Sequence, residues 1–235
     1  MRSDSLPIAH HSSLYLRQLE IGPMENFIYL IGDAATKECV IVDPAWDISQ
    51  VLRTAEKDGM KVVGALATHH HYDHTNGIGD LLTKIGCKVY IHKDDAPYLK
   101  DLQNEITKVD SGHKLKVGNI EITFIHTPGH TPGSQCFLIA PTNLPLKGGE
   151  IGRGSLVSGD TLFINACGRC DLPGGNAEQL YESLQRLAKL DENVVLFPGH
   201  NYADEPTSTI GQEKRHNPYL QAHSLKDFLG HRLKS

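Results

Sequence analysis

No apolar run in the chain approaches the about 20 residues that a membrane-spanning helix needs. Residues 1–13 lack the apolar stretch of a signal peptide. Cysteine is scarce: five residues, an odd number, at spacings that do not form a disulfide framework. Positive charge is not in excess. Lys and Arg number 23 against 28 Asp and Glu, leaving a net charge of −5, which argues against a nucleic-acid-binding surface. No internal repeat or low-complexity tract stands out. These absences point to a cytoplasmic protein with neither membrane nor nucleic-acid partners. Its 235 residues are enough for one domain with a sizeable core, spanning 1–235. Within that domain, residues 1–13 are expected to be poorly ordered and 206–235 to form a short C-terminal helical tail.

Histidine, by contrast, is concentrated. The run Ala67-Thr68-His69-His70-His71-Tyr72-Asp73-His74-Thr75-Asn76-Gly77 packs four imidazoles and a carboxylate into positions 69–74. It follows Lys61–Ala67, an apolar stretch that reads as a buried strand, and precedes a helix candidate over Ile78–Ile85. Clusters on strand-to-helix loops are where α/β proteins place their chemistry. In extended backbone, residues two apart share a side, so His69, His71 and Asp73 converge while His74 turns away. That spacing suits two neighbouring divalent metal ions better than one. Imidazole and carboxylate favour zinc first, with iron and manganese open, over calcium or magnesium.

The remaining chain alternates strands and helices. Leu14–Leu19, Asn26–Ile31 and Glu38–Val42 read as strands, the last two joined by a turn through Gly32-Asp33. Asp43-Pro44 ends the third strand, and Asp43 reads either as a turn residue that caps the next helix, within Trp46–Gly59, or as a residue with a role near the metals. Strands are expected over Cys87–Ile91, Ile120–His126, Gln135–Ala140, Ser155–Gly159 and Asn193–Phe197. Helices are expected over Asp94–Leu102 and Ala177–Leu190, and an exposed loop over Pro141–Gly154. His130, Asp160 and His200 each follow a strand, beside Gly or in Pro-Gly turns, and can gather at one sheet edge. Two face-to-face sheets with helices outside are the expected α/β architecture.

The H-x-H-x-D-H at 69–74, T-P-G-H at 127–130, G-D at 159–160 and P-G-H at 198–200 closely resemble the metallo-β-lactamase-fold hydrolases. The resemblance implies an αββα sandwich of two mixed sheets, with metals at the edge between them. It implies that His69, His71 and His130 bind one metal, that Asp73, His74 and His200 bind the second, and that Asp160 bridges them. Asp43 then supports the loop, and His70 lies outside the pattern. Two cations sharing a hydroxide would bring its pKa near neutrality, and the net positive site would favour an anionic substrate. Asp160 stands where zinc β-lactamases often use Cys, which argues against that activity.

Within the family, the chain is similar to glyoxalase II. Gly199-His200-Asn201-Tyr202 resembles its G-H-x-Y, which implies that Tyr202 contacts substrate, and Arg169 becomes a candidate partner for a substrate carboxylate. A small anionic thioester, glutathione conjugates included, is the expected substrate. The segment after His200 is shorter than in glyoxalase II, so thioester hydrolysis is a firmer expectation than S-lactoylglutathione itself. The stretch Cys167-Gly168-Arg169-Cys170-Asp171 also resembles the C-G-R-x-D of persulfide dioxygenases, which would hold one iron through His69, His130 and Asp160. The Cys167/Cys170 pair has no second pair and opens no helix, so it is expected to pack beside the site.

Overall fold

The computed structural model describes residues 14–140 and 154–232; the expectations for residues 1–13 and most of the 141–154 loop fall outside them. The first half of the chain runs β1 (Leu14–Ile21), β2 (Asn26–Asp33), β3 (Glu38–Val42), α1 (Ile48–Lys57), β4 (Lys61–Leu66), α2 (Tyr72–Thr75), α3 (Ile78–Ile85), β5 (Lys88–His92) and β6 (Ile106–Val109). Its strands form one sheet in sequence order, antiparallel through β3 and parallel from β3 to β6.

The second half runs β7 (Lys114–Val117), β8 (Ile120–His126), β9 (Gln135–Ile139), β10 (Ser155–Gly159), the small hairpin β11 (Leu162–Phe163) and β12 (Ala166–Cys167), α4 (Ala177–Leu187), β13 (Val195–Pro198), β14 (Ser208–Thr209), α5 (Ile210–His216), α6 (Pro218–Gln221) and α7 (Leu225–Arg232). The second sheet has the order β14-β13-β10-β9-β8-β7, with β10 and β13 parallel. Among the described residues no helix is long and apolar enough to cross a membrane.

Side-chain alternation builds three apolar layers. Phe27, Tyr29 and Ile31 of β2 face Ile122 and Phe124 of β8 and Phe137 of β9 between the sheets. The intervening Ile28 and Leu30 pack outward with Ile48, Val51, Ile78 and Leu81 of α1 and α3. On the other sheet, Cys136, Leu156 and Leu196 pack outward under Leu180, Leu184, Ile210, Leu220 and Phe228. The result is an αββα sandwich.

Four local expectations change. The β2–β3 turn is not at Gly32-Asp33: β2 runs through both, and the turn follows at 34–37. Gly32 is there because a Cβ would lie 2.0 Å from the Glu38 carbonyl oxygen. Asp94–Leu102 is not one helix but two short 3₁₀ turns, Ala96–Tyr98 and Lys100–Leu102, since Pro97 opens a turn that no apolar face continues. The helix after Asp43 is capped by Asp47, whose side chain accepts the Gln50 N–H. The edge strands β6 and β7 lie between the expected elements Asp94–Leu102 and Ile120–His126, where no strand is expected. Their lysines, Lys108, Lys114 and Lys116, are the charges that guard a sheet edge, and they hide the strand pattern.

The C-terminal helices are part of the fold: Phe228 is fully buried against Tyr181 and Tyr219. Phe228→Ala is expected to cost about 3–5 kcal/mol in urea unfolding, the range for emptying a buried aromatic site. A loosely attached tail would leave the midpoint unchanged.

Candidate metal centre

Asp43, the 67–71 loop, the 127–134 loop, Asp160 and Gly199-His200 lie just beyond the C-terminal ends of β3, β4, β8, β10 and β13. They meet at one rim of the sandwich. Three groups form there, with ligand atoms within 4.8 Å of one another in each: His69, His71 and His130; His69, His74 and Asp160; Asp73, His74 and His200.

Asp73 therefore does not join His69 and His71, as an extended chain would require. At Tyr72 the backbone turns into the single helical turn α2, held by the His74 N–H to the His71 carbonyl and by the Thr75 hydroxyl to the same oxygen. The turn swings Asp73 toward His200 (3.4 Å) and carries His74 inward, 3.4 Å from Asp160 Oδ1. Small residues make room: a Cβ on Gly199 would lie 2.4 Å from Asp160 Oδ1, and one on Gly168 would lie 1.7 Å from the Asp160 carbonyl.

The outward nitrogen of four imidazoles is engaged. His69 Nδ1 donates to Thr68 Oγ1 (3.0 Å), which donates on to Asp43 Oδ2 (2.7 Å), and His74 Nδ1 donates to that same oxygen (2.9 Å). His130 Nδ1 donates to the Arg169 carbonyl (2.6 Å) and His200 Nδ1 to the Met24 carbonyl (2.8 Å). A neutral ring that donates through Nδ1 carries its lone pair on Nε2. Those lone pairs point inward. His69 Nε2 and His130 Nε2 each lie 3.0 Å from His71 Nδ1, and the Nε2 atoms of His74 and His200 lie 3.1 Å apart.

One proton bridges one such pair, whereas a cation among them satisfies every lone pair. Asp160 Oδ1 adds to this: it is buried, with no partner of hydrogen-bond geometry among the described residues. The ligand set and its outer hydrogen bonds fit divalent metal ions.

Asp43 is thus a shared anchor for two inward rings rather than a ligand, and it also accepts the Thr68 N–H (2.6 Å). Asn26 was not legible from sequence: its Nδ2 donates to Asp73 Oδ2 (2.9 Å) while its Oδ1 accepts the Trp46 indole N–H (2.8 Å). Nothing distinguishes it in the sequence from any strand-opening Asn. Tyr202 is exposed and stacks on His200 at 4.7 Å, with Phe163 edge-on to both rings. Partial desolvation where its ring stacks, together with the nearby Asp160 and Asp73, pushes its phenol up to about 12, so it stays a hydrogen-bond donor. Arg169 is joined to the rim through its carbonyl. Its exposed guanidinium makes a bidentate pair with Asp171 (3.0 and 2.8 Å). Cys167 and Cys170 line a cavity of ≈ 640 Å³ behind this segment, and burial pushes the Cys167 thiol up to about 12, which disfavours a reactive thiolate.

Without a cation the two ends of the site hold protons differently. Burial and the facing His130 bring His71 down to about 4. Burial, with His74 and His130, lowers His69 as well. At the other end burial opposes charge, but Asp160 and Asp73 outweigh it and raise His200 to about 9. Asp160 and Asp43 likewise raise His74 against burial. Burial would raise Asp160, yet His74, His200 and His130 hold it at about 2, so it stays ionised.

A cation at Asp73/His74/His200 must therefore displace a proton from His200 below about pH 9, costing about tenfold in affinity per pH unit per proton. In the His69/His71/His130 group, burial and the neighbouring rings lower both His69 and His71, His71 to about 4, so these two have no proton to give up over the same range. Dialysis against weak chelator from pH 8 down to pH 5, followed by metal analysis, is expected to strip the former group first. Simultaneous loss of both would contradict this order.

The model of the Metallo-beta-lactamase superfamily matches residues 21–200. The chain is 28% identical over 205 residues to a probable polyketide biosynthesis zinc-dependent hydrolase of Bacillus subtilis, covering 87% of this chain and 85% of that protein. It is 31% identical over 245 residues to a hydroxyacylglutathione hydrolase of Rhodospirillum rubrum, covering 91% and 89%. The crystal structure of ETHE1 from Myxococcus xanthus superposes with a TM-score of 0.78 at 29% identity, covering 92% of this chain and 88% of that one. With its sandwich fold, its rim of histidines and carboxylates and these likenesses, the chain belongs to the metallo-β-lactamase superfamily.

Proposed function

We propose that the protein is a metal-dependent hydrolase that cleaves a small anionic thioester, with glutathione-type acyl thiols as the first candidates. The observation that carries this is the convergence of imidazole nitrogens in two groups with the Asp160 carboxylate reaching both: its buried Oδ1, without a partner of hydrogen-bond geometry among the described residues, lies 3.4 and 3.5 Å from His74 and His200, and its Oδ2 lies 3.5 Å from His130. His69, His71 and His130 would hold one divalent ion, Asp73, His74 and His200 the other, and Asp160 would span both. Bound there, the ions supply acidification of water and polarisation of the scissile carbonyl. Zinc is the first choice, in line with the zinc-dependent relative.

The chain's own groups do the rest. Asp43 holds two rings in the tautomer that aims Nε2 inward. Asp73 and Asp160 stay charged, Asp73 well below the usual carboxylate range because His200, His74 and Asn26 outweigh its burial. Two dications against two carboxylates leave positive charge for an anionic substrate. Tyr202 offers a neutral O–H beside His200, and Arg169 can exchange Asp171 for a substrate carboxylate at little cost, since both partners are exposed.

A second reading is a mononuclear iron persulfide dioxygenase held by His69, His130 and Asp160. It is favoured by the Cys167–Asp171 segment and the likeness to ETHE1. It gives no ligand role to Asp73, His74 and His200, whose ligand atoms form a complete group of their own, and for that reason the hydrolase is preferred.

Metal content per chain, thioester cleavage with S-lactoylglutathione and other acyl thiols, and oxygen uptake on glutathione persulfide separate the two. Two ions per chain with thioester cleavage is the expected result; one iron with oxygen uptake would sink the hydrolase. Asp160→Ala is expected to abolish activity, and His74→Ala to lower thioester turnover more than about 100-fold, beyond the range for loss of an outer-shell partner.

A further inference from the structure

His70 is the one imidazole of the 69–74 cluster outside the three metal-binding groups. It turns instead to Asp95, in the loop after β5, whose side chain is fully buried. Asp95 accepts from two loops that belong to different sheets. From the loop after β4, its Oδ2 takes the His70 N–H (2.9 Å), with His70 Nδ1 3.0 Å away. From the loop after β8, Oδ2 takes the Thr131 hydroxyl (2.7 Å) and Oδ1 takes the Gly133 N–H (2.6 Å).

The approach is close: a Cβ on Gly133 would lie 2.7 Å from the Asp95 carboxyl carbon. Tyr98 stacks on His70 at 3.9 Å and closes the outer side. On the core side the same loops meet again, where Gln135 donates to the Thr68 and Ala67 carbonyls.

His70 is flanked by His69 and His71, and Thr131 follows His130. The three residues of one metal group are thus carried by the two loops that Asp95 ties together. We propose that Asp95 is a positioning residue for that group, fixing the separation of His130 from His69 and His71 so that a cation binds tightly and in one geometry. This rests on the metal reading of those histidines. No covalent step is involved. The carboxylate acts by holding two loops at hydrogen-bond distance.

The test uses full-length chain carrying His200→Ala, which disables the other group. Metal-free protein is titrated with zinc against a competing chelator, and with cobalt(II), whose visible bands report ligand geometry. Asp95→Asn sets an amide N–H₂ against donors that need an acceptor. Thr131→Val removes one donor and keeps the shape. Asp95→Asn is expected to weaken zinc by about 10–100-fold, the range for outer-shell partners, and to shift the cobalt bands. Thr131→Val is expected to weaken it less, and the two changes combined to cost less than the product of their separate effects, because they break one tether. Unchanged affinity and spectrum in a folded Asp95→Asn protein would overturn the proposal. If that variant does not fold, native affinity and spectrum in Thr131→Val would overturn it. A parent chain that binds neither ion would overturn the metal reading itself.

Discussion

Imidazole nitrogens held 3.0–3.1 Å apart with their lone pairs facing are the constraint on which the rest of this structure depends. Such an arrangement is repulsive unless something positive lies among them. It persists because the far nitrogens of four of the five rings are committed: His69 to Thr68 and through it Asp43, His74 to Asp43 directly, and His130 and His200 to the carbonyls of Arg169 and Met24. The outer hydrogen bonds choose the tautomer, and the tautomer makes a ligand.

That commitment explains why the supporting residues come from so many places. Met24 lies in the β1–β2 hairpin, Asp43 after β3, Asn26 at the start of β2 and Arg169 after β12. Each is brought to the rim by packing between the sheets, where Phe27, Tyr29, Phe124 and Phe137 set the separation. The Phe27 N–H donates to the Gly199 carbonyl (2.8 Å), so the first sheet is stitched to the loop of the second that carries His200. A cation bound at this rim stabilises the fold by its binding free energy, since an unfolded chain has no such site.

The two ends of the site differ in kind. Around His69 and His71 burial dominates, and neutral rings face one another. Around His74 and His200 carboxylates dominate, and the rings prefer charge when no metal is bound. Asp160, charged and reaching both ends, joins them electrostatically. Tyr202 and Phe163 stand beside His200, and the Arg169 backbone beside His130.

Much was legible in the sequence. The strand before His69 and the loops ending in His130, Asp160 and His200 carried their own signals, because glycine and proline mark where a chain must turn sharply beside a ligand. The inner strands showed as apolar runs. The edge strands β6 and β7 did not, because an edge is guarded by charge, and the 94–102 stretch misled because its charges resemble a helix face while Pro97 forbids one. Asn26, Asp95 and the partners of Asp43 were beyond reach: a side-chain hydrogen bond between residues 25 to 47 positions apart leaves no local pattern. The sequence by itself determined the candidate ligand types and, through the motif resemblance, the family. Residue spacing alone puts Asp73 with His69 and His71, against the grouping that the resemblance implies, and only the tertiary structure supplies the physical reason for that grouping, because the single helical turn at Tyr72–Thr75 sends Asp73 and His74 away from the pair that an extended backbone would have made.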